Sequence, residues 1–208
     1  MLKFSCAQKS AFGLFLSLCS ALSFGLSASA SNNNYIYPPP AGMSVSKSIS
    51  NNLTLHQKNN VPARYIRQVV PYKTSQPVGT IIVNTAQKHL YLVLKNGYAM
   101  RYGIGVGRIG FTWSGTHRLT AKRKWPGWTP PAEMRIRQPE LPRYMKGGID
   151  NPLGARALYI GSTLYRLHGT TEPWSIGKSV SSGCIRLTNQ DVIDLYNRAK
   201  IGAKIVVL

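Results

Sequence analysis

The sequence contains few acidic residues and few cysteines. Its 208 residues include 6 Asp or Glu against 26 Lys or Arg, and 3 Cys. Cys6 and Cys19 lie in the first 30 residues, so a chain that loses this segment keeps Cys184 as its one thiol. A single thiol excludes an internal disulfide. One cysteine and a few scattered histidines also lack the usual spacing of zinc ligands, and we expect no metal and no cofactor.

A long hydrophobic run is also lacking. The apolar stretch 11–26 is short and diluted by serines, which argues against a stable membrane span. Lys3 and Lys9 precede this stretch, and Ala-Ser-Ala follows it at 28–30. This order is typical of a secretory signal peptide. We therefore predict a signal peptide at 1–30 that is cleaved, no stable membrane span afterwards, and export to the periplasm or cell envelope; a retained anchor is the alternative.

The surplus of positive charge predicts an anionic partner. The net charge is +20, and removal of Lys3 and Lys9 with the signal peptide lowers it to +18. Export and the lack of a recognition motif argue against nucleic acid. A polyanionic surface of the cell envelope fits the charge better. The alternative is that the charge serves solubility alone.

Composition divides the rest of the chain into two parts. Residues 31–62 are dominated by Asn, Ser and Pro and lack apolar periodicity, which predicts a disordered arm or linker. Residues 63–208 are expected to form one domain. The first signals in this domain are β: a buried strand at 79–84 and a hairpin at 89–102 that turns at Asn96-Gly97.

The second half of the domain adds more β signals and one helix. A second hairpin is predicted at 157–168 and a closing strand at 203–208. A helix is predicted after Thr188, because this residue is a suitable N-cap and Asp191 follows three positions later. Gly202 follows the end of the helix.

Residues 121–154 have no steady period and are rich in proline. Long irregular connections in compact domains are often binding loops or lids. This segment contains Trp125, Trp128 and Met134, whose large apolar side chains favour packing against the domain or contact with a substrate. We predict a loop that covers the substrate; a disordered insertion is the alternative.

His168 and Cys184 are the candidate reactive pair. Cysteine catalysis needs a thiolate, and a neighbouring imidazole can take the proton. Backbone amides around Gly183 and Cys184 are suited to bind the oxyanion that forms when a carbonyl is attacked. No side chain is evident to orient the imidazole, but a backbone carbonyl would serve. The alternatives are a structural histidine and a cysteine that packs as a small hydrophobic residue.

The segment HGTTEPWSIGKSVSSGCIRL at 168–187 resembles the signature of the L,D-transpeptidase catalytic domain family (YkuD; ErfK/YbiS/YcfS/YnhG). That signature is a histidine, about fifteen residues, Ser/Thr-x-Gly-Cys, an apolar residue and Asn or Arg. The matching positions here are His168, Ser181, Gly183, Cys184, Ile185 and Arg186. Ser182 stands where many members have histidine. The similarity extends over roughly 78–208.

The resemblance implies a mainly β fold, a YkuD-like β-sandwich with a short helix after the catalytic cysteine. It implies Cys184 as the nucleophile, and His168 as the general base that the Gly169 carbonyl orients. The loop that would hold the oxyanion consists of Ser181, Ser182 and Gly183. The residues expected to bind substrate are Arg186, Trp125, Trp128 and Trp174. For Arg186 a structural ion pair is the alternative.

The resemblance also implies a substrate and a reaction. The donor would be a peptidoglycan tetrapeptide stem, in which Cys184 attacks the bond between the diamino acid and D-Ala. D-Ala would leave, and an amine would resolve the thioester. That amine would belong to another stem, giving a 3–3 cross-link, or to an envelope protein. Two other functions stay open: a non-catalytic, basic protein that binds the cell wall, and an L,D-carboxypeptidase that uses water as the acceptor.

Overall fold

The computed structural model describes residues 60–208. The predicted signal peptide and all but the end of the predicted arm lie outside these residues. Across the described part the strands are β1 Gln68–Pro71, β2 Ile81–Asn84, β3 His89–Val93, β4 Tyr98–Gly103, β5 Val106–Gly107, β6 Gly115–Lys124, β7 Arg156–Ile160, β8 Arg166–His168, β9 Ser179–Ser181, β10 Ile185–Arg186 and β11 Lys204–Val207. The α-helices are α1 Ala132–Arg137 and α2 Asn189–Arg198.

Nine of the strands form one sheet in the order β1-β4-β3-β2-β11-β6-β7-β8-β10, and β5 pairs with β9 separately. The long strand β6 belongs to both halves of the large sheet. Its first residues pair with β11, and its later residues pair with β7 after a register irregularity between Leu119 and Ala121. Such an irregularity bends a strand. The sheet therefore changes direction at β6.

One core joins the two halves of the sheet. Ile81 and Leu92 from the first half, Leu158 and Leu167 from the second, and Leu195 from α2 all belong to the same buried cluster. Each of them is no more than 3% exposed. The predicted mainly β sandwich with a short helix after the cysteine is confirmed.

The local predictions for the hairpins and the helix are confirmed. The β3–β4 hairpin turns at Asn96 and Gly97, which have φ of 59° and 73°. Asparagine and glycine adopt this left-handed conformation most easily. The β7–β8 hairpin is antiparallel as predicted. Helix α2 begins after Thr188, whose hydroxyl accepts a hydrogen bond from the Asp191 backbone at 3.1 Å.

A cluster of charges fixes α2 against the start of the domain. Arg67 Nη1 lies 3.5 Å from Asp191 Oδ1 and 3.6 Å from Asp194 Oδ2. Tyr102 donates a hydrogen bond to Asp194 Oδ2 at 2.7 Å. Burial raises the pKa of Asp191 to about 6, and the charge of Arg67 opposes that rise. Two of the few acidic residues are thus used to position the helix that follows the cysteine.

Two features differ from the sequence-based expectations. The segment 121–154 is not wholly irregular, because it contains the end of β6 and the helix α1. Val61, placed in the predicted arm, is 7% exposed and packs with Tyr65 and Ile176. Val61 therefore belongs to the packed region although it was placed in the arm. Between residues 60 and 208, no helix is long and apolar enough to cross a membrane.

Candidate active site

The spacing of His168 and Cys184 follows from the pairing of β8 with β10. These strands are parallel, with Leu167 opposite Ile185 and His168 opposite Arg186. Parallel neighbours cannot be joined by a tight turn and need a connection of about a dozen residues or more. Residues 169–184 form that connection, and Cys184 is its last residue. Residues distant in sequence are thereby brought to adjacent strands.

The alternation of side chains along β8 and β10 creates a polar face. Leu167 and Ile185 point into the core, where they are 0% and 1% exposed. Their neighbours along each strand must point to the opposite face. That face lines a cavity of about 710 Å³. Arg166 and His168 of β8 line it, as do Arg186 of β10 and Cys184 just before that strand.

The His168 ring is buried and held in one tautomer. It is 5% exposed, and its Nδ1 lies 2.5 Å from the Gly169 carbonyl oxygen. A carbonyl only accepts, so Nδ1 carries the proton and Nε2 of the neutral ring is an acceptor. Gly169 itself is tightly enclosed, because a Cβ there would overlap the Asn189 side chain. A larger residue at this position would displace Asn189 or the backbone that presents the carbonyl.

Burial and nearby arginines favour the neutral imidazole. Burial, together with the positive charges of Arg186 and Arg166, lowers the pKa of His168 to about 4. The hydrogen bond to Gly169 opposes this shift. His168 is therefore unprotonated at neutral pH and able to accept a proton.

Cys184 is partly exposed at the cavity wall. Burial among protein atoms nevertheless raises the pKa of its thiol, while Arg166 and the charge of Arg186 act in the opposite direction. The thiol and the imidazole are thus both neutral at rest. The positive charges of the two arginines attract the negative thiolate and repel the positive imidazolium, so they favour the first and disfavour the second.

The turn that carries the thiol is held by Ser181. Its hydroxyl donates to the Cys184 carbonyl at 2.6 Å and accepts from the Gly183 N–H at 3.2 Å. Gly183 has φ of 103°, which favours glycine. The sequence predicts that amides around both Gly183 and Cys184 face an oxyanion. In this structure the Gly183 N–H is used within the turn, and the Cys184 N–H donates to no other described residue.

Arg186 makes an ion pair within the protein. Its Nη1 lies 2.6 Å from Glu172 Oε2 and 3.4 Å from the Ser175 hydroxyl. Glu172 is half exposed, and Arg186 still lines the cavity. The structural ion pair foreseen as the alternative for Arg186 is therefore present.

The predicted covering segment forms one wall of the cavity. Trp128, Met134 and the residues of α1 from Ala132 to Arg135 line it. Ser181 and Ser182 also line the cavity. Trp125 and Trp174, which are 44% and 54% exposed, are not among its lining residues.

Sequence reasoning missed several residues of this site. Arg166 lies two positions before His168 on β8, so strand alternation was a usable signal for it. Tyr165 and Phe111 also line the cavity. Trp113, the one tryptophan not singled out, donates a hydrogen bond from Nε1 to the Gly183 carbonyl at 2.8 Å. No local pattern connects it to a residue 70 positions away.

Across residues 60–208, no group of three His, Cys, Asp or Glu side chains could hold a metal ion.

Comparison with known proteins identifies the family. The profile of the L,D-transpeptidase catalytic domain, YkuD, matches residues 79–207. The chain belongs to this family.

Two curated relatives illustrate the range of similarity. The chain is 37% identical over 134 residues to the probable L,D-transpeptidase YbiS of Escherichia coli K12. This alignment covers 60% of this chain and 43% of that protein. It is also 32% identical over 160 residues to the putative L,D-transpeptidase YkuD of Bacillus subtilis 168. That alignment covers 77% of this chain and 80% of the relative. The matched part is thus less than half of the Escherichia coli relative.

Among solved structures, a protein from Brucella melitensis described as a probable carnitine operon oxidoreductase, CaiA, is 42% identical to this chain. The match covers 73% of this chain and 98% of that one, with a TM-score of 0.48.

Proposed function

We propose that the protein is an exported cysteine L,D-transpeptidase that acts on peptidoglycan stem peptides. Cys184 is the nucleophile and His168 the general base. The observation that carries this proposal is that His168, at the end of β8, and Cys184, immediately before the neighbouring parallel strand β10, line one cavity. The tautomer of His168 supports it, because the hydrogen bond to Gly169 leaves Nε2 able to accept the thiol proton.

In the first half of the reaction, His168 Nε2 takes the proton from Cys184 Sγ as the sulfur attacks the carbonyl of the diamino acid. The Cys184 N–H stabilises the oxyanion. When the tetrahedral intermediate collapses, the C–N bond to D-Ala breaks and the leaving amine takes the proton from His168. A thioester on Cys184 remains. This sequence of proton transfers leaves the imidazole neutral again.

In the second half, an amine attacks the thioester. His168 removes the proton of the attacking amine and returns it to the sulfur as the thiol leaves. A thioester is reactive enough toward amines that no external energy source is required. Water must be kept away for transfer to prevail over hydrolysis, and the wall formed by Trp128 and α1 is suited to this.

The charge of the cavity supports a donor that carries carboxylates. Its lining includes four arginines but only one acidic residue, Glu133. The arginines are Arg135, Arg137, Arg166 and Arg186. A stem peptide carries a terminal carboxylate, so its charge complements this lining. Trp125 and Trp174 would contact the more distant parts of the donor, because both are exposed and outside the cavity lining.

The acceptor is an amine of a second stem or of an envelope protein, and the described residues favour neither. The signal peptide predicted at 1–30 would deliver the enzyme to the periplasm or cell envelope, where its positive charge would hold it near the wall. Water as the acceptor would make the same site a carboxypeptidase.

The test uses the full chain and a purified disaccharide tetrapeptide. Mass spectrometry of the intact protein should show the tripeptide acyl group on Cys184, with one D-Ala released for each protein acylated. Cys184→Ala should abolish both and remain folded, and Cys184→Ser is the matched variant that keeps the size of the side chain. Product analysis with and without an added stem would separate transfer from hydrolysis. Salt-sensitive binding to sacculi without any acyl-enzyme, unchanged in Cys184→Ala, would show a wall-binding protein instead.

A further inference from the structure

Trp113 lies outside the reactive pair but contacts the turn that carries the nucleophile. It belongs to the connection between β5 and β6, and its indole N–H donates to the Gly183 carbonyl oxygen at 2.8 Å. Gly183 immediately precedes Cys184. The hydrogen bond therefore acts on the peptide group that joins these two residues.

That peptide group also contains the Cys184 N–H. A peptide bond is planar, and in the trans form its C=O and N–H point in opposite directions. No peptide bond among the described residues is cis. A donor that fixes the direction of the Gly183 carbonyl therefore fixes the direction of the Cys184 N–H as well.

The adjacent groups in the turn are also fixed, but by Ser181. Its hydroxyl accepts from the Gly183 N–H and donates to the Cys184 carbonyl. The peptide group between Gly183 and Cys184 is held by Trp113, and its N–H donates to no described residue. An N–H that is held in direction and left unpaired beside a nucleophile is suited to bind a developing oxyanion.

The indole ring is itself immobilised. It stacks on Tyr165 with ring centroids 4.5 Å apart and 6° between the planes, and its edge packs against His117. Tyr165 also touches the turn, because a Cβ on Gly183 would overlap its ring. A second contact joins the same connection to the turn: the Arg108 N–H donates to the Ser181 carbonyl at 3.0 Å.

We propose that Trp113 is a positioning residue that aims the Cys184 N–H at the oxyanion of the acyl-transfer step. It acts through the Gly183 carbonyl and does not contact the reacting atoms. This inference rests on the part of the proposed function that makes Cys184 an acyl-accepting nucleophile. It does not depend on the stem peptide as the donor.

The test compares two reactions of Cys184 in the full chain. With p-nitrophenyl acetate, the thiol proton is lost, sulfur takes the acetyl group, and p-nitrophenolate leaves with the electron pair of its C–O bond; an oxyanion forms on the way. With iodoacetamide, sulfur displaces iodide directly and no oxyanion forms. Trp113→Phe removes the N–H but keeps an aromatic ring to stack on Tyr165. We expect acetylation to slow by about 10- to 100-fold, with alkylation within about twofold of the original protein.

The matched control is Tyr72→Phe. Tyr72 stacks on Tyr91 with centroids 4.4 Å apart, in a separate cluster away from the cavity. This variant also removes one polar group from a stacked pair, and both of its rates should stay unchanged. Normal alkylation of Trp113→Phe would show that the turn is still folded.

The outcomes separate the two proposals. Unchanged acetylation in Trp113→Phe, or equal loss of acetylation and alkylation, would overturn the positioning role, while D-Ala release by the original protein would still support the transpeptidase. If stem peptides are not used but acetylation depends on Trp113, the transpeptidase assignment fails and the positioning role stands.

Discussion

Arg166 lies beside Cys184 across the parallel pair of β8 and β10. The register places Leu167 opposite Ile185, so the preceding residues of the two segments are neighbours. Both line the cavity. A guanidinium in this position stabilises a thiolate more than a thiol.

Removal of the Arg166 charge should make the thiol harder to ionise. Burial raises the pKa of Cys184 above its usual value, and Arg166 opposes that rise. In Arg166→Met the pKa should therefore be higher still, and iodoacetamide alkylation at pH 7 should slow several-fold. The measurement is the pH dependence of the alkylation rate, with Arg123→Met, at an exposed position of β6, as the control. An unchanged profile would show that Arg166 does not act on the thiol.

His168 should make the domain less stable in acid. Its pKa is about 4 in the folded protein and 6.5 for an unperturbed histidine, so the unfolded chain binds the proton first as the pH falls. Stability from this group is complete above pH 6.5 and is lost between pH 6.5 and 4, by about 3 kcal/mol. Urea unfolding at pH 7 and at pH 4 measures it.

The control for that experiment is His168→Gln. It removes the titration of the imidazole but keeps the buried Asp191, whose pKa is raised to about 6 and whose own effect on stability has the opposite sign. The variant should lose less stability than the original protein over the same pH range. An equal loss in both proteins would assign the acid sensitivity to other groups.

Gly183→Ala should damage both the turn and the chemistry. The position has φ of 103°, and a Cβ would overlap the Tyr165 ring. Backbone strain of this kind costs about 1–3 kcal/mol, and displacement of Cys184 should lower acylation by about 100-fold. Thermal unfolding and acyl-enzyme formation are the two measurements.

Gly79→Ala is the matched variant for Gly183→Ala. Gly79 also has a positive φ, 89°, but a Cβ there would meet no atom within 4 Å. It should lose stability through strain alone and keep full acylation. Equal acylation in the two variants would show that the Tyr165 contact is unimportant.

Glu172 should compete with a substrate carboxylate for Arg186. The two side chains are 2.6 Å apart and Glu172 is half exposed. In Glu172→Gln the arginine charge is no longer paired, so KM for a tetrapeptide donor should fall several-fold with little change in kcat. Arg186→Met should raise KM. If neither variant changes KM, Arg186 serves the structure alone.

The sequence predicted those parts of the fold that depend on local chemistry. Asn96-Gly97 marks a hairpin by itself, and Thr188 with Asp191 marks a helix start, because each signal is complete within four residues. The candidate pair of His168 and Cys184 was predicted from one remaining thiol and a short, glycine-rich separation, and both residues line one cavity. Trp113 was missed since its partner is 70 residues away, and helix α1 was missed because it is only six residues long and buries none of them.

The parallel pairing of β8 and β10 sets the positions of His168 and Cys184 through hydrogen bonds between the strands. Ladder hydrogen bonds hold the two ends of the connection together, and its middle, at Pro173–Ser175, adds the contact of the Ser175 hydroxyl with Arg186 on β10. A substitution at the exposed Trp174 should therefore leave this strand pairing unchanged, and with it the positions of His168 and Cys184.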